Sequence, residues 1–177
     1  MKKALYLLAA ISDRDFEWLL QTGKRQGVPK GSVLISEGQP IDALYVVLSG
    51  RFVVSVASPD GDRPIAVLSS GEVLGEISFI DSRPPTATVR AVENSVVWSI
   101  PRMQLTAKLS QDVAFSSNFY RALAAFLSDR LRTTVSRLGY GGDSPNVPDD
   151  ESPDHHNPQV FDNLDLAKAR LEWLGTH

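Results

Sequence analysis

Cysteine is absent from the 177 residues. That excludes a disulfide framework, a zinc–thiolate centre and a thiol nucleophile. Histidine is scarce: His155 and His156 lie in an acidic tract broken by prolines, and His177 ends the chain. No Ser-His-Asp arrangement is therefore anchored in the folded region. His155-His156 beside Asp154 reads as a solvated polar tract, and no metal site is expected. An excess of basic charge is also lacking. A formal net charge of −3 argues against a general nucleic-acid binder. No apolar run is long enough to span a bilayer, so no membrane insertion is expected. Glu72 and Glu76 sit four apart beside glycines, but nothing supplies a partner nucleophile or metal. They read as turn residues, and the chain is not expected to be an enzyme.

What remains is ample for a core, since 42% of residues are hydrophobic. The chain reads as one domain with a tail. Its start, MKKALYLLAAI, places two lysines before a short apolar run, as a leader peptide would. Ser12–Leu20 continues instead as an amphipathic helix, with Ser12 as N-cap and Asp15 three residues on, a variant of the capping box. An uncleaved, cytoplasmic protein is expected. Residues 1–26 read as two short helices, from Leu5, Leu8, Ile11 and then Phe16, Leu19, Leu20.

Between Gly31 and Pro101 the apolar period changes to two. The runs 32–36, 43–48, 51–57, 65–68, 86–92 and 96–100 are rich in Val, Ile and aromatic residues, as strands are. Turn signals such as Glu37-Gly38, Ser49-Gly50 and Asp60-Gly61 separate them. Short antiparallel strands at this spacing predict a closed or nearly closed β roll. Residues 102–139 return to helical spacing. Phe119, Leu123, Phe126, Leu127, Leu131, Val135 and Leu138 line one face at nearly coiled-coil spacing, which predicts a homodimer along this helix. Residues 140–163 form an acidic linker with four prolines. Residues 164–177 then carry an amphipathic helix (LDLAKARLEWL). An isolated helix of that length is marginal in water, so it must dock on its own domain, a partner subunit or another protein. Trp173 is the expected anchor.

One stretch carries the chemistry: Gly75–Ala91, GEISFIDSRPPTATVRA. Gly75 lacks a Cβ and allows a sharp turn and a close approach. The next residues can form a helical turn whose free N–H groups suit a phosphate. A Pro-Pro elbow and a β-like run follow. The segment resembles the phosphate-binding cassette of the cyclic nucleotide-binding domain family. Residues from about 11 to 139 are similar to that family throughout, through SDRDFEWLL, PKGSVLISEGQPIDALYVVLSGRFVV and the glycine-turned corners at Gly31, Gly38 and Gly50.

The resemblance implies a mainly β, α+β fold: a jelly-roll-like β roll flanked by N- and C-terminal helices, with a dimer helix closing residues 1–139. It implies a cyclic purine nucleotide, cyclic AMP or cyclic GMP, as ligand, with no other cofactor. Glu76 would accept the ribose 2′-OH, because a carboxylate offers only acceptors. Gly75, Glu76, Ile77 and Ser78 would present backbone to the cyclic phosphate. In the family an arginine then pairs with the phosphate oxygens. Aligning the ATV of Ala87-Thr88-Val89 puts Pro85 at that position, which has neither charge nor donor. Thr86 and Ala87 follow, and Arg83 is the nearest replacement cation. RLRTTVSRLG resembles the dimer helix of the catabolite-activator branch of the family, where a threonine faces the base; Thr134 falls on that match, and Val135 replaces the serine after it.

Two expectations follow. In the first, the chain is a stand-alone bacterial regulatory module that binds a cyclic nucleotide and signals through its C-terminal helices to an unidentified protein partner. In the second, Pro85 marks a ligand-insensitive assembly module that keeps the roll as a scaffold. Neither includes DNA binding. The acidic tail after the long helix offers Lys168 and Arg170 and little else to a recognition helix.

Overall fold

Among the described residues, two four-stranded antiparallel sheets face each other, with strand orders β1-β8-β3-β6 and β2-β7-β4-β5. The strands are β1 Lys24–Val28, β2 Val33–Ile35, β3 Ala43–Ser49, β4 Phe52–Val56, β5 Arg63–Leu68, β6 Val73–Leu74, β7 Thr88–Ala91 and β8 Ser95–Pro101. The computed structural model describes residues 2–139 and 162–177. The helices are α1 Lys3–Ala10, α2 Asp13–Thr22, α3 Ser78–Asp81, α4 Arg102–Gln111, α5 Val113–Gly139 and α6 Leu164–Thr176. The linker expected at 140–163, with His155 and His156, lies outside the described residues apart from its last two positions.

Side-chain alternation explains how one sheet serves two cores. Along β3, Ala43, Tyr45 and Val47 point into the roll, where they meet Val28, Ile35, Phe52, Leu74, Val89 and Val97. Leu44 and Val46 point the other way, with Trp98 and Ile100 of β8, onto a helical layer. That layer is built from Leu5, Leu7 and Leu8 of α1, Leu105 of α4, Phe115, Phe119, Leu123 and Phe126 of α5, and Ala167 and Leu174 of α6. Successive strand residues face opposite sides, so a strand clothed on both faces reads as a continuous apolar run.

Local signals account for most boundaries. Ser12 Oγ accepts from the Asp15 amide at 3.1 Å, and the Asp15 carboxylate accepts from the Ser12 amide, so the capping box at α2 is complete. Asp112 caps α5, its Oδ1 accepting from the Phe115 amide at 2.9 Å.

Two strands depart from the sequence expectation. β1 falls where the second helix was expected to continue to residue 26. Its residues Lys24-Arg25-Gln26-Gly27 bury nothing fully and only Val28 is buried, so alternation is invisible at this sheet edge. β6 has two residues, too few for any period. The apolar face of α5 also divides. Phe119, Leu123 and Phe126 are spent on the protein's own helical core, whereas Leu131 is 64% exposed and Val135 is exposed too. Among the described side chains of the expected seam, Leu131 and Val135 are the open ones. The reason is α1: Tyr6 meets Phe126 edge-on at 6.0 Å, and its hydroxyl donates to Asp129.

The terminal helix docks on its own domain, beside α1. Its buried residues are Ala167, Arg170 and Leu174. Arg170 donates from Nη1 to the carbonyls of Leu8 (2.6 Å) and Ile11 (2.9 Å), and its Nη2 pairs with Asp13 at 2.6 Å. Its guanidinium also lies 5.2 Å from the Phe16 ring centroid. Trp173, the expected anchor, is 38% exposed and meets Phe16 at the edge of the contact. A cation is the better anchor here because α1 ends in unbonded carbonyls, which a guanidinium can cap and an indole cannot.

Candidate functional site

A cavity of about 390 Å³ opens between the second sheet, the segment 73–89 and α5. Gly75, Glu76, Ile77, Ser78, Arg83, Thr86 and Ala87 all line it. Seven of the eight sequence-selected residues are thus brought to one place. The eighth, Thr134, is not among the lining residues. It lies one helical turn beyond the lining residue Arg130, and its hydroxyl donates to the Arg130 carbonyl at 2.9 Å.

Gly75 has φ +87°, which favours glycine, and a Cβ there would sit 3.1 Å from both the Ala43 carbonyl and the Ile41 side chain. Its close approach is thus to strand β3. The helical turn begins slightly later than expected. Residues 76–77 form a turn and the helix runs over Ser78–Asp81, with the Phe79 amide donating to the Glu76 carbonyl at 3.1 Å and that of Ile80 to Ile77 at 2.9 Å. Ser82 then takes a left-handed conformation, φ 57°, and reverses the chain.

The elbow after it is fixed from both sides. Ser78 Oγ donates to the Arg83 carbonyl at 3.0 Å, and the Arg83 amide donates to Asp81 Oδ1 at 3.1 Å. Ser78 is buried by this role. Pro85, though it brings no donor, has its carbonyl accept from the Gly38 amide at 2.8 Å, which ties the elbow to the β2–β3 loop. The Arg83 side chain is 82% exposed at the rim, 3.7 Å from Asp81. An exposed pair of that kind holds its partners loosely and leaves the guanidinium available.

Glu76 occupies the opposite extreme. It is 4% exposed, and its Oε1 accepts from Lys3 Nζ at 3.0 Å. The same ammonium donates to the Val73 carbonyl at 3.3 Å, lies 3.8 Å from Glu72 Oε2, and stands 4.8 Å from the Phe126 ring centroid. Lys3 is itself a lining residue, 7% exposed. Sequence reasoning missed Lys3 because its partner lies 73 positions away and its neighbourhood reads as a leader-like start. It also missed Arg130, which projects from α5 to line the cavity. A signal was available there: Arg130 precedes Thr134 by four residues, so both share a helix face.

Chemically, the site offers a buried carboxylate, backbone of a tight turn, a hydroxyl at Thr86 and cations at three corners. That set suits a ligand with both hydroxyl and anionic groups. No group of residues that could hold a metal ion occurs among the described residues, and no described helix is long and apolar enough to cross a membrane.

Comparison with known proteins agrees with this geometry. The family model described as cyclic nucleotide-binding domain matches residues 25–112. An uncharacterized NTE family protein of Mycobacterium tuberculosis is 36% identical over 131 residues, covering 74% of this chain and 22% of that protein. The CRP-like cAMP-activated global transcriptional regulator of the same species is 28% identical over 111 residues, covering 62% of this chain and 48% of that one. Among solved structures, the N-terminal domain of a transcriptional regulator from Streptomyces coelicolor is 32% identical with a TM-score of 0.60, covering 73% of this chain and 90% of that one. The chain spans about a fifth of the length of the curated relatives it matches first.

Proposed function

Because the chain belongs to the cyclic nucleotide-binding domain family, we propose that its cavity binds cyclic AMP or cyclic GMP and that occupancy is transmitted through the helical layer to a protein partner. The observation that carries this is Glu76, a buried carboxylate that lines the cavity. In this reading Glu76 accepts the ribose hydroxyl. The backbone of residues 75–78, with Thr86 and Ala87, receives the cyclic phosphate. Arg83 and Arg130 supply charge from the rim and from α5, where the usual arginine is replaced by Pro85. The base lies toward α5, with Thr134 one turn beyond. The module acts in the cytoplasm, as a homodimer joined along distal α5, without a metal and without catalysis.

Differential affinity is what makes such a module a switch. A ligand that touches both the cassette and α5 favours whichever arrangement of those elements encloses it. Since α5 shares a core with α1 and α6, its movement alters the surface those helices present.

A second reading has its own support. Pro85 removes a charge-assisted contact, worth roughly 2–5 kcal/mol at a partly buried site, and Glu76 is already engaged by Lys3. A ligand-insensitive assembly module is consistent with both. Calorimetric titration of the full chain with cyclic AMP, cyclic GMP and cyclic dinucleotides separates the two. Saturable binding of a mononucleotide with unit stoichiometry is the expected result. No heat and no thermal stabilisation at millimolar ligand would leave the assembly reading standing.

A further inference from the structure

Three cations line the cavity: Arg83, Arg130 and Lys3. Arg83 and Arg130 are exposed, and Lys3 alone is buried. A charge in a low-dielectric floor acts on a ligand far more strongly than one screened at the rim. Lys3 comes from neither the cassette nor α5 but from α1, KALYLLAA, where it is the one charged residue. Its ammonium meets Glu76 at 3.0 Å and Glu72 at 3.8 Å, both of them buried.

From this we infer that Lys3 is a ligand-site residue: the buried cation through which α1 makes the cavity floor receptive to an anionic ligand. This rests on the reading of the cavity as a cyclic nucleotide site. Without Lys3, the buried Glu76 carboxylate, which lines the cavity, would repel a phosphate diester held there. With it, Glu76 keeps one oxygen on the ammonium and has the other for a ligand hydroxyl, while the lysine charge offsets repulsion of the phosphate. Lys3 thus takes over part of the electrostatic work that the cassette, with proline at 85, leaves undone. It also makes α1 part of the site, so occupancy is felt by the helix that carries α6.

Lys3→Met tests this, because methionine approximates the lysine stem and removes only the ammonium. Titrations of the full chain compare cyclic AMP with adenosine, which has the ribose hydroxyls and no phosphate. The expected result is at least tenfold weaker binding of cyclic AMP, with adenosine changed less than threefold. Equal losses for both ligands would make Lys3 a structural residue, and an unchanged cyclic AMP affinity would also overturn the inference. If wild type binds neither cyclic AMP nor cyclic GMP, the nucleotide reading itself falls and the inference with it. Should Lys3→Met not fold, the ε-ammonium resonance of Lys3 in wild type, assigned through its contact with the Phe126 ring, replaces the variant. It is expected to shift saturably with cyclic AMP and little with adenosine. A resonance indifferent to both would refute the assignment.

Discussion

Glu76 must serve a partner it already has as well as any ligand. Its removal takes away a ribose acceptor and also strands Lys3, so a single affinity measurement would mix the two effects. Comparing cyclic AMP with its 2′-deoxy form separates them, because the stranded lysine affects both ligands alike. Glu76→Ala is expected to weaken cyclic AMP by about 1–3 kcal/mol and the 2′-deoxy ligand much less. Equal losses would mean that Glu76 only builds the floor. A second residue-scale effect concerns pH. Asp112 accepts from Lys108 Nζ at 2.7 Å and caps α5, and the Lys108 hydrogen bond together with the Phe115 amide holds its carboxyl below the usual value of 3.8. Burial opposes the Lys108 ammonium, but its hydrogen bonds to Asp112 and Asp15 outweigh that and leave it more basic than usual. A carboxyl with a depressed folded pKa stabilises fully above its ordinary value, and that contribution is lost as pH falls through the folded pKa. Melting temperature should therefore drop below about pH 4, and Asp112→Asn should flatten that part of the profile. The cassette residues were legible in sequence because they are contiguous and chemically distinctive. Lys3 was not, since no local pattern announces a partner so distant along the chain.

At the scale of elements, α1 is held at both ends by charge. Lys3 fixes its N-terminal turn to the cavity, and Arg170 of α6 caps its C-terminal carbonyls. The apolar residues between them fill the helical core. Arg170→Met should leave the Leu8 and Ile11 carbonyls without a donor and Asp13 without its partner. The expected cost is about 2–4 kcal/mol in chemical denaturation, with most of it due to the buried carbonyls, since Asp13 is solvated. A loss under about 0.5 kcal/mol would mean that α6 packs by shape alone. Hydrogen exchange should quicken in α1 as well as α6. The helices and the long strands were readable because they clothe a core with the right period: α2 starts at its cap, and β3 and β8 read as continuous apolar runs. β1 and β6 escaped because one is a polar edge and the other is too short. That α6 docks at home was left open by its amphipathic pattern, which cannot name a surface; the buried arginine on its inner face settles the matter in three dimensions.

For the whole molecule, the question is what the exposed apolar residues of distal α5 do. The helix continues beyond the helical core, and Leu131 and Val135 are exposed on it, one turn apart. Spacing alone suggested a seam running from Phe119 to Leu138. The structure assigns the first half of that stripe to the protein's own core, because α1 lies against it. What is left is short, yet it adjoins the cavity: Leu127 and Arg130 line the pocket just before Leu131. A partner helix seated there would lie beside the ligand, which would couple dimerisation to occupancy. Leu131→Asp is the clean test, since this residue contributes nothing to the folded core and a charge there meets only solvent in the monomer. Placed in an apolar contact between two subunits, the same charge would be buried without a partner. Sedimentation equilibrium is expected to give a dimer for wild type and a monomer for Leu131→Asp, with melting temperature unchanged at a concentration where wild type is itself dissociated. Leu127→Asp would be a poorer choice, because it would also disturb the cavity. A wild-type protein that stays monomeric at high micromolar concentration, with and without cyclic AMP, would show that the exposed end of α5 serves some other contact.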